Sequence, residues 1–146
     1  MLHQGHFKPL NPQKYKGNPT NIIYRSSWEL RVMNYLDKHP DVLQWASEEF
    51  FVPYVSPVDG KVHRYYPDFW VRKKNAQGII EIDVIEVKPK SQMSAPKKPQ
   101  KITKRFVNEV YTWGVNQAKW QAAESFCKQR DWNFKVINEH DLGIKF

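Results

Sequence analysis

A chain of 146 residues with 40% apolar and 14% aromatic residues is long enough for one domain with its own core and too apolar for disorder. The formal net charge of +8 is typical of proteins that bind polyanions, although a basic surface can also serve solubility alone. We expect no membrane span and no signal peptide, because no long apolar stretch occurs. The single cysteine, Cys127, excludes an intramolecular disulfide and suits a reducing compartment.

The first 22 residues show no periodicity and contain several prolines, which predicts an extended basic N-terminal arm over 1–22 and a single domain over 23–146. Ser26 and Glu29 form a capping box at the start of a helix predicted to end near Lys38. A strand pattern follows over 43–55, interrupted at 47–49, and leads to a turn at 56–60. Two further strands are predicted over 62–72 and 79–88. After a basic loop come a helix over 104–130, which Gly114 could bend or split, and a strand over 132–137. This α-β-β-β-α-β order predicts an α/β fold with one mixed sheet flanked by helices.

Glu29 falls on the apolar face of the first predicted helix. On a helical wheel it lies between Leu36 and Met33, on the side that should pack against the sheet. It is also the third residue after Ser26, where Glu is favoured because it can bond to the backbone of the cap. The sequence therefore allows either a capping role or a catalytic role for the Glu29 side chain.

Charged residues also interrupt two apolar strand patterns. Asp68 lies in an aromatic segment over 65–70, where a carboxylate is desolvated unless it is paired or binds a metal. The structural alternative is a salt bridge to Arg64 or Lys88. Lys88 and Glu86 continue the apolar face of the third predicted strand, unless that strand simply ends in solvent.

A hairpin can place Asp68 and Glu86 on adjacent strands, where two carboxylates repel each other unless a cation lies between them. Such oxygen ligands suit Mg²⁺, which also contacts substrate phosphate. Lys88 would then lie beside the metal, where it can orient a water or neutralise charge that develops on a phosphate. The pattern favours phosphodiester hydrolysis.

The segment 88–105 contains seven Lys or Arg residues, no Asp or Glu, and three prolines, which predicts an extended basic loop. It either follows the DNA backbone or is a solvated loop. The candidate DNA-binding residues of this loop and the following helix are Lys90, Lys97, Lys98, Lys101, Lys104, Arg105 and Lys119. For Lys119 the alternative is an ordinary surface lysine.

Pro67-Asp68, followed by Glu86-Val87-Lys88 at the end of the next strand, resembles the signature of the PD-(D/E)XK nucleases, whose core has the same element order. The segments 25–29 and 65–69 resemble the endonuclease subunit of heteromeric transposases. Glu29 matches a glutamate that many such nucleases carry on their first helix.

Longer stretches extend this resemblance over nearly the whole chain. The segments 11–17, 54–61 and 97–100 are similar to the head-completion proteins of T-even-type bacteriophages. The resemblance implies a restriction-endonuclease-like core and a Mg²⁺-dependent DNA endonuclease, with Mn²⁺ as a substitute metal.

The resemblance also implies roles for individual residues. Glu29, Asp68, Glu86 and Lys88 become the catalytic residues. Asp68, Glu86 and the backbone carbonyl of Val87 become metal ligands, joined by Glu29 directly or through a water. All four side chains of the family pattern are present in this sequence.

The biological setting follows from the same resemblance. It implies a virion protein of the head–neck region, assembled in the host cytoplasm, that acts on packaged double-stranded DNA or its ends before tail attachment. Its partners would be double-stranded DNA and phage head or neck proteins, with no membrane involved. The alternative is a catalytically silent DNA-binding or connector protein of the virion neck with the same fold.

Overall fold

A computed structural model describes residues 4–142 of the chain. The strands are β1 Gly5–Phe7, β2 Ile22–Tyr24, β3 Val42–Ser47, β4 Val52–Val55, β5 Val62–Tyr65, β6 Phe69–Lys74, β7 Ile80–Val87 and β8 Asn133–Ile137. The helices are α1 Ser27–Lys38 and α2 Lys104–Lys128, with short 3-10 turns at Pro12–Lys14 and Lys90–Gln92. No helix within residues 4–142 is both long and apolar enough to cross a bilayer.

The central sheet has the strand order β3-β6-β7-β8. β6 runs antiparallel to both of its neighbours, β3 and β7, whereas β7 and β8 are parallel. A parallel pair needs a long crossover connection, and α2 lies in that connection. The elements of this core follow the order α1-β3-β6-β7-α2-β8, so the predicted α/β class with a mixed sheet flanked by helices is confirmed.

The prediction of one continuous strand over 62–72 was wrong. The chain forms β5 and β6 there, and the two strands belong to different sheets. Pro67 lies between them, buried and without an N–H to donate, so a strand ladder cannot continue through it. β4 and β5 instead form a hairpin that packs on α2. The predicted interruption after Ser47 is confirmed, since β3 and β4 are separate strands.

Helix α2 runs without interruption through Gly114. A glycine inside a helix costs only about 1 kcal/mol, which tertiary contacts easily offset. Here the buried side chains of α2 include Trp120 and Ala123, which pack against the hairpin residues Val52 and Tyr65. The helix is therefore fixed against the body of the protein near its middle.

The segment before α1 is anchored to the core at several points. β1 pairs with β2, and the rings of Phe7 and Tyr15 contact the buried Trp45. The buried Asp37 carboxylate accepts hydrogen bonds from the main-chain N–H groups of Leu10, at 2.8 Å, and Asn11, at 3.1 Å. These contacts make the segment part of the folded body. The domain boundary after residue 22 stays a prediction.

Helix α1 begins where predicted. The Ser26 hydroxyl accepts a hydrogen bond from the Glu29 N–H at 3.1 Å. Val32, Met33 and Leu36 are buried in the main core, which fixes the rotation of the helix. Glu29, one turn before Val32 and Met33, is thereby directed toward the end of the sheet.

Candidate metal centre and active site

Three strands carry an acidic residue at the same end of the central sheet. Ser47 pairs with Phe69, and Phe69 pairs with Ile85. One residue further along each strand, the same register places Glu48, Asp68 and Glu86 side by side. The Glu48 N–H donates a hydrogen bond to the Asp68 carbonyl at 3.2 Å, which extends the ladder to this row. The sheet therefore brings together acids that are up to 38 positions apart in the chain.

Asp68 is held in place by the backbone of its neighbouring strand. Its Oδ2 accepts a hydrogen bond from the Val87 N–H at 2.8 Å. None of the described residues forms an ion pair with Asp68, so the expected alternative of a salt bridge to Arg64 or Lys88 is wrong. Arg64 lies instead over the Phe51 ring, with its guanidinium carbon 4.8 Å from the ring centroid.

The carboxylate of Glu29 joins this end of the sheet from α1. Oxygen atoms of Glu29, Glu48 and Asp68 all lie within 4.8 Å of one another. The main-chain N–H of Glu29 donates to the Ser26 hydroxyl, and its Oε2 accepts a hydrogen bond from the same hydroxyl at 3.4 Å. The carboxylate of Glu29 therefore belongs to the cap of α1 and also lies next to the other two acids.

The electrostatics of this carboxylate cluster (Glu29, Glu48, Asp68 and the adjacent Glu86) indicate that negative charge is poorly compensated. Burial, together with the nearby Asp68 and Glu48 carboxylates, raises the pKa of Glu29 to about 7. Burial and the neighbouring Glu86 raise the pKa of Asp68 well above its ordinary value. Burial also raises the pKa of Glu48, although Arg25 opposes this shift. Carboxylates in this state gain from a bound cation.

Glu48 is the member of the cluster that sequence reasoning missed. Its backbone has a φ of 53°, a left-handed conformation that is uncommon outside glycine and is often found at functional sites. Arg25 holds the carboxylate with an ion pair of 2.9 Å. A signal existed, because Glu48 directly follows a buried strand. The pattern did not reveal that β3 lies beside β6.

Glu86 is 5% exposed, so the alternative that β7 simply ends in solvent is wrong at this position. It lies beside Asp68 and next to the buried Tyr65 hydroxyl. Burial and the charges of Glu86 and Asp68 raise the pKa of Tyr65. Tyr65 therefore stays a neutral phenol whose O–H lies against the Glu86 carboxylate.

Two lysines approach the carboxylate cluster. Lys88 is half-buried, and its charge partly counteracts the raised pKa of Asp68. Lys119 extends from α2 across the rings of Tyr54 and Tyr65, with Nζ 5.8 Å and 5.6 Å from the two centroids. Burial lowers the pKa of Lys119 even though Glu86 attracts its charge. It is thus a half-buried residue at the site, which corrects its alternative as an ordinary surface lysine.

The remaining cations predicted to bind DNA lie on the loop after β7 and on the start of α2. All of them are exposed: Lys90, Lys97, Lys98, Lys101, Lys104 and Arg105. Arg105 forms an ion pair with Glu109 at 3.1 Å. Their contact with DNA stays a prediction.

The donor set of the carboxylate cluster fits a divalent cation. Carboxylate oxygens of three residues lie within 4.8 Å of one another, and burial together with their mutual repulsion raises the pKa values of Glu29 and Asp68, which a bound cation would oppose. Hard oxygen ligands of this kind favour Mg²⁺ or Mn²⁺. The absence of a nearby thiol or imidazole from the group argues against a zinc site among the described residues.

Comparison with known proteins agrees with this arrangement. A family model described as TnsA-like endonuclease N terminal matches residues 39–139, which include β3, β6, β7, α2 and β8. The head completion nuclease of Enterobacteria phage T4 is 40% identical over 146 residues, in an alignment that covers 97% of this chain and 95% of that protein. The predicted resemblance to both groups is confirmed, and with it the restriction-endonuclease-like fold. The chain belongs to the TnsA-like endonuclease family.

Proposed function

We propose that this protein is a divalent-metal-dependent DNA endonuclease that acts during completion of the phage head. The observation that carries the proposal is the convergence of Glu29, Glu48 and Asp68, with oxygens within 4.8 Å of one another and, among the described residues, an ion pair only between Glu48 and Arg25. Its similarity to a head completion nuclease supports the setting.

The carboxylate cluster would hold the metal. Asp68, Glu48 and Glu29 supply the nearest oxygens, and Glu86 and the Val87 carbonyl extend the set of candidate ligands. Mg²⁺, or Mn²⁺ in its place, would polarise the phosphoryl group and lower the pKa of a coordinated water. Asp68 is already fixed by the Val87 N–H, so little ordering is needed on binding.

The chain's own groups provide the remaining parts of phosphodiester hydrolysis. Lys88 orients the attacking water and neutralises charge on the phosphate. Glu29, with a pKa of about 7 before metal binds, would give up its proton when a cation occupies the cluster. Lys119 approaches the same region from α2 and can donate to phosphate oxygens.

Basic residues around the site would hold double-stranded DNA. Each Lys or Arg that contacts a phosphate releases counterions, so binding should weaken steeply with salt. In the virion, this activity would trim packaged DNA or its ends in the head–neck region before the tail attaches, in contact with head or neck proteins. The catalytically silent connector remains the competing function.

A plasmid-cleavage assay separates these two functions. Purified protein should nick and linearise plasmid with Mg²⁺ or Mn²⁺ and not with EDTA, and Asp68→Ala should leave the plasmid intact. The control is Asp83→Ala, which removes a buried carboxylate of the same sheet outside the cluster. Intact plasmid with wild-type protein at several concentrations of either metal, together with salt-dependent DNA binding, would favour the connector.

A further inference from the structure

A cleft lined by several polar side chains lies between the loop after β7 and the first half of α2. Its volume is about 850 Å³, within the range of small-ligand sites. Ser91, Gln92 and Ser94 form one wall, and Asn108, Thr112, Trp113 and Asn116 belong to the helical wall. The function proposed above makes no use of this cleft.

Two polar groups in the helical wall have no partner. Asn116 is 5% exposed, yet no hydrogen bond to its side chain is made by residues 4–142. The Trp113 indole N–H is buried and likewise lacks an acceptor in the described part of the chain. A buried polar group without a partner costs about 1–3 kcal/mol, and the Trp113 N–H is such a group. The Asn116 carboxamide, in the same wall, can both donate to and accept from a ligand in the cleft.

The cleft opens beside the carboxylate cluster. Asn116 lies one helical turn before Lys119, whose charge interacts with Glu86 and Lys88. The opposite wall begins at Ser91, three residues after Lys88. From Lys119 to Asn108 the helix rises about 16 Å, at roughly 1.5 Å per residue. The cleft therefore lies within a few nucleotides of any phosphate bound at the site.

We propose that this cleft binds an unpaired nucleotide of the DNA strand that flanks the scissile phosphate, so that the preferred substrate carries a single-stranded end or branch. This inference rests on the proposed nuclease function. The Asn116 carboxamide, which both donates and accepts, matches the hydrogen-bonding edge of a base.

The lining of the cleft favours a base over the backbone of a duplex. A duplex backbone is recognised by cations, whereas the deep wall of the cleft offers an amide, hydroxyls and an indole. The cations Lys104 and Arg105 lie at the far end, where they can contact the phosphates of the same strand. Glu109, the acidic residue of the lining, is neutralised by its ion pair with Arg105.

The test measures DNA binding by the full chain without divalent metal, so that no cleavage occurs. Two DNAs with equal numbers of phosphates are compared, a blunt duplex and a duplex with a short single-stranded tail that carries 2-aminopurine. The wild type should bind the tailed DNA about tenfold more tightly, since each stacked base contributes roughly 1–3 kcal/mol. The 2-aminopurine fluorescence should change on binding.

Variants test whether the preference comes from the cleft. Asn116→Ala should reduce the tailed-to-blunt affinity ratio about fivefold, and Trp113→Phe, which keeps the ring and removes the N–H, should reduce it by a smaller factor. Gln121→Ala, an exposed change on α2 outside the cleft, should keep the wild-type ratio. Circular dichroism checks folding. If Asn116→Ala does not fold, Trp113→Phe decides.

Equal affinity of the wild type for both DNAs would overturn the proposal, and so would a wild-type ratio in both cleft variants. These outcomes are separate from the fate of the nuclease function. A protein that prefers tailed DNA but cleaves nothing with Mg²⁺ or Mn²⁺ keeps the cleft and loses the nuclease. A protein that cleaves DNA with Mg²⁺ or Mn²⁺ but binds both DNAs equally keeps the nuclease and loses the cleft.

Discussion

Asp68 and Asp83 belong to the same sheet, but the charges around them differ in sign. Asp83, on β7, is 1% exposed and accepts bonds from Lys73 at 2.8 Å, from Lys135 at 2.9 Å and from Asn133 at 2.9 Å. Burial alone would raise the pKa of Asp83, but these three partners lower it below the ordinary value. Its charge is fully compensated within the protein.

Asp68 has a single backbone donor, Val87, and its near neighbours include the acids Glu29, Glu48 and Glu86. Its pKa is raised because burial and these charges disfavour ionisation. One aspartate is thus paired with two lysines, whereas the other forms no ion pair within residues 4–142, and Lys88 only partly offsets its raised pKa. The contrast teaches that neighbouring charge, and not burial, distinguishes a structural acid from a metal-binding one.

The largest expected effect is on catalysis at Asp68. Asp68→Ala should lower plasmid cleavage by about three orders of magnitude or more, because it removes the central oxygen donor of the cluster. Cleavage rates with saturating Mn²⁺ measure the loss. Asp83→Ala, compared per folded molecule, should stay within a few-fold of wild type. Equal losses in both variants would break the distinction between the two sites.

Folding stability should depend more on Asp83 than on Asp68, the reverse of the order expected for cleavage. Asp83→Ala should lower the free energy of unfolding by about 3 kcal/mol, because it leaves Lys73 and Lys135 without their shared buried partner. Urea denaturation at pH 7 without metal provides the measurement. Asp68→Asn, which keeps an acceptor for the Val87 N–H and removes a repelling charge, should be at least as stable as wild type. A larger loss of unfolding free energy in Asp68→Asn than in Asp83→Ala would contradict the distinction between the two aspartates.

The pH dependence of stability follows from the same charges. Without metal, the folded state keeps a proton on Glu29 up to a pKa of about 7, whereas the unfolded chain loses it near 4.5. The folded state therefore binds more protons in this window, and its stability should fall as pH rises from about 4.5 to about 7. Asp83, with its lowered pKa, contributes in the opposite sense only in more acidic solution, below its usual value of 3.8.

Thermal unfolding across this pH range gives the measurement. Mg²⁺ should raise the melting temperature more at pH 8 than at pH 5, since protons compete for the same oxygens. Glu29→Gln should flatten the metal-free slope. A melting temperature that rises from pH 5 to pH 7 without metal would show that the carboxylate cluster is compensated in some other way.

The smallest effect is expected at Arg25, the cation paired with Glu48. Both partners are partly solvated, with side-chain exposures of 58% and 26%. Arg25→Ala should change the free energy of unfolding by less than about 1 kcal/mol. A loss comparable to that of Asp83→Ala would mean that the cluster already has a strong internal counter-ion, which would weaken the case for a metal.

Much of the fold was readable from the sequence because its local signals are strong. The Ser26 cap, the alternating apolar residues of β7 and the long helical pattern of α2 gave the element order of the core. The split between β5 and β6 was missed because Pro67 follows a run of strand-forming residues. Burial of Phe7 was missed as well, since a short strand among prolines has no periodicity.

The candidate site was predictable only in part. Asp68, Glu86 and Lys88 interrupt apolar patterns, and adjacent strands bring such residues together. Glu48 could not be placed because its position depends on β3 pairing with β6 and on a left-handed backbone, neither of which leaves a local pattern. The unpartnered Asn116 also had no sequence signal beyond its position on α2.

The most direct test of the central claim is calorimetric titration of Mn²⁺ into wild type, Asp68→Asn and Asp83→Ala under identical conditions. If the carboxylate cluster is the metal site, wild type and Asp83→Ala should bind Mn²⁺ with similar affinity, and Asp68→Asn should bind it at least about tenfold more weakly, a loss of about 1.4 kcal/mol or more. Unchanged Mn²⁺ binding by Asp68→Asn would contradict the assignment of this cluster as the metal centre.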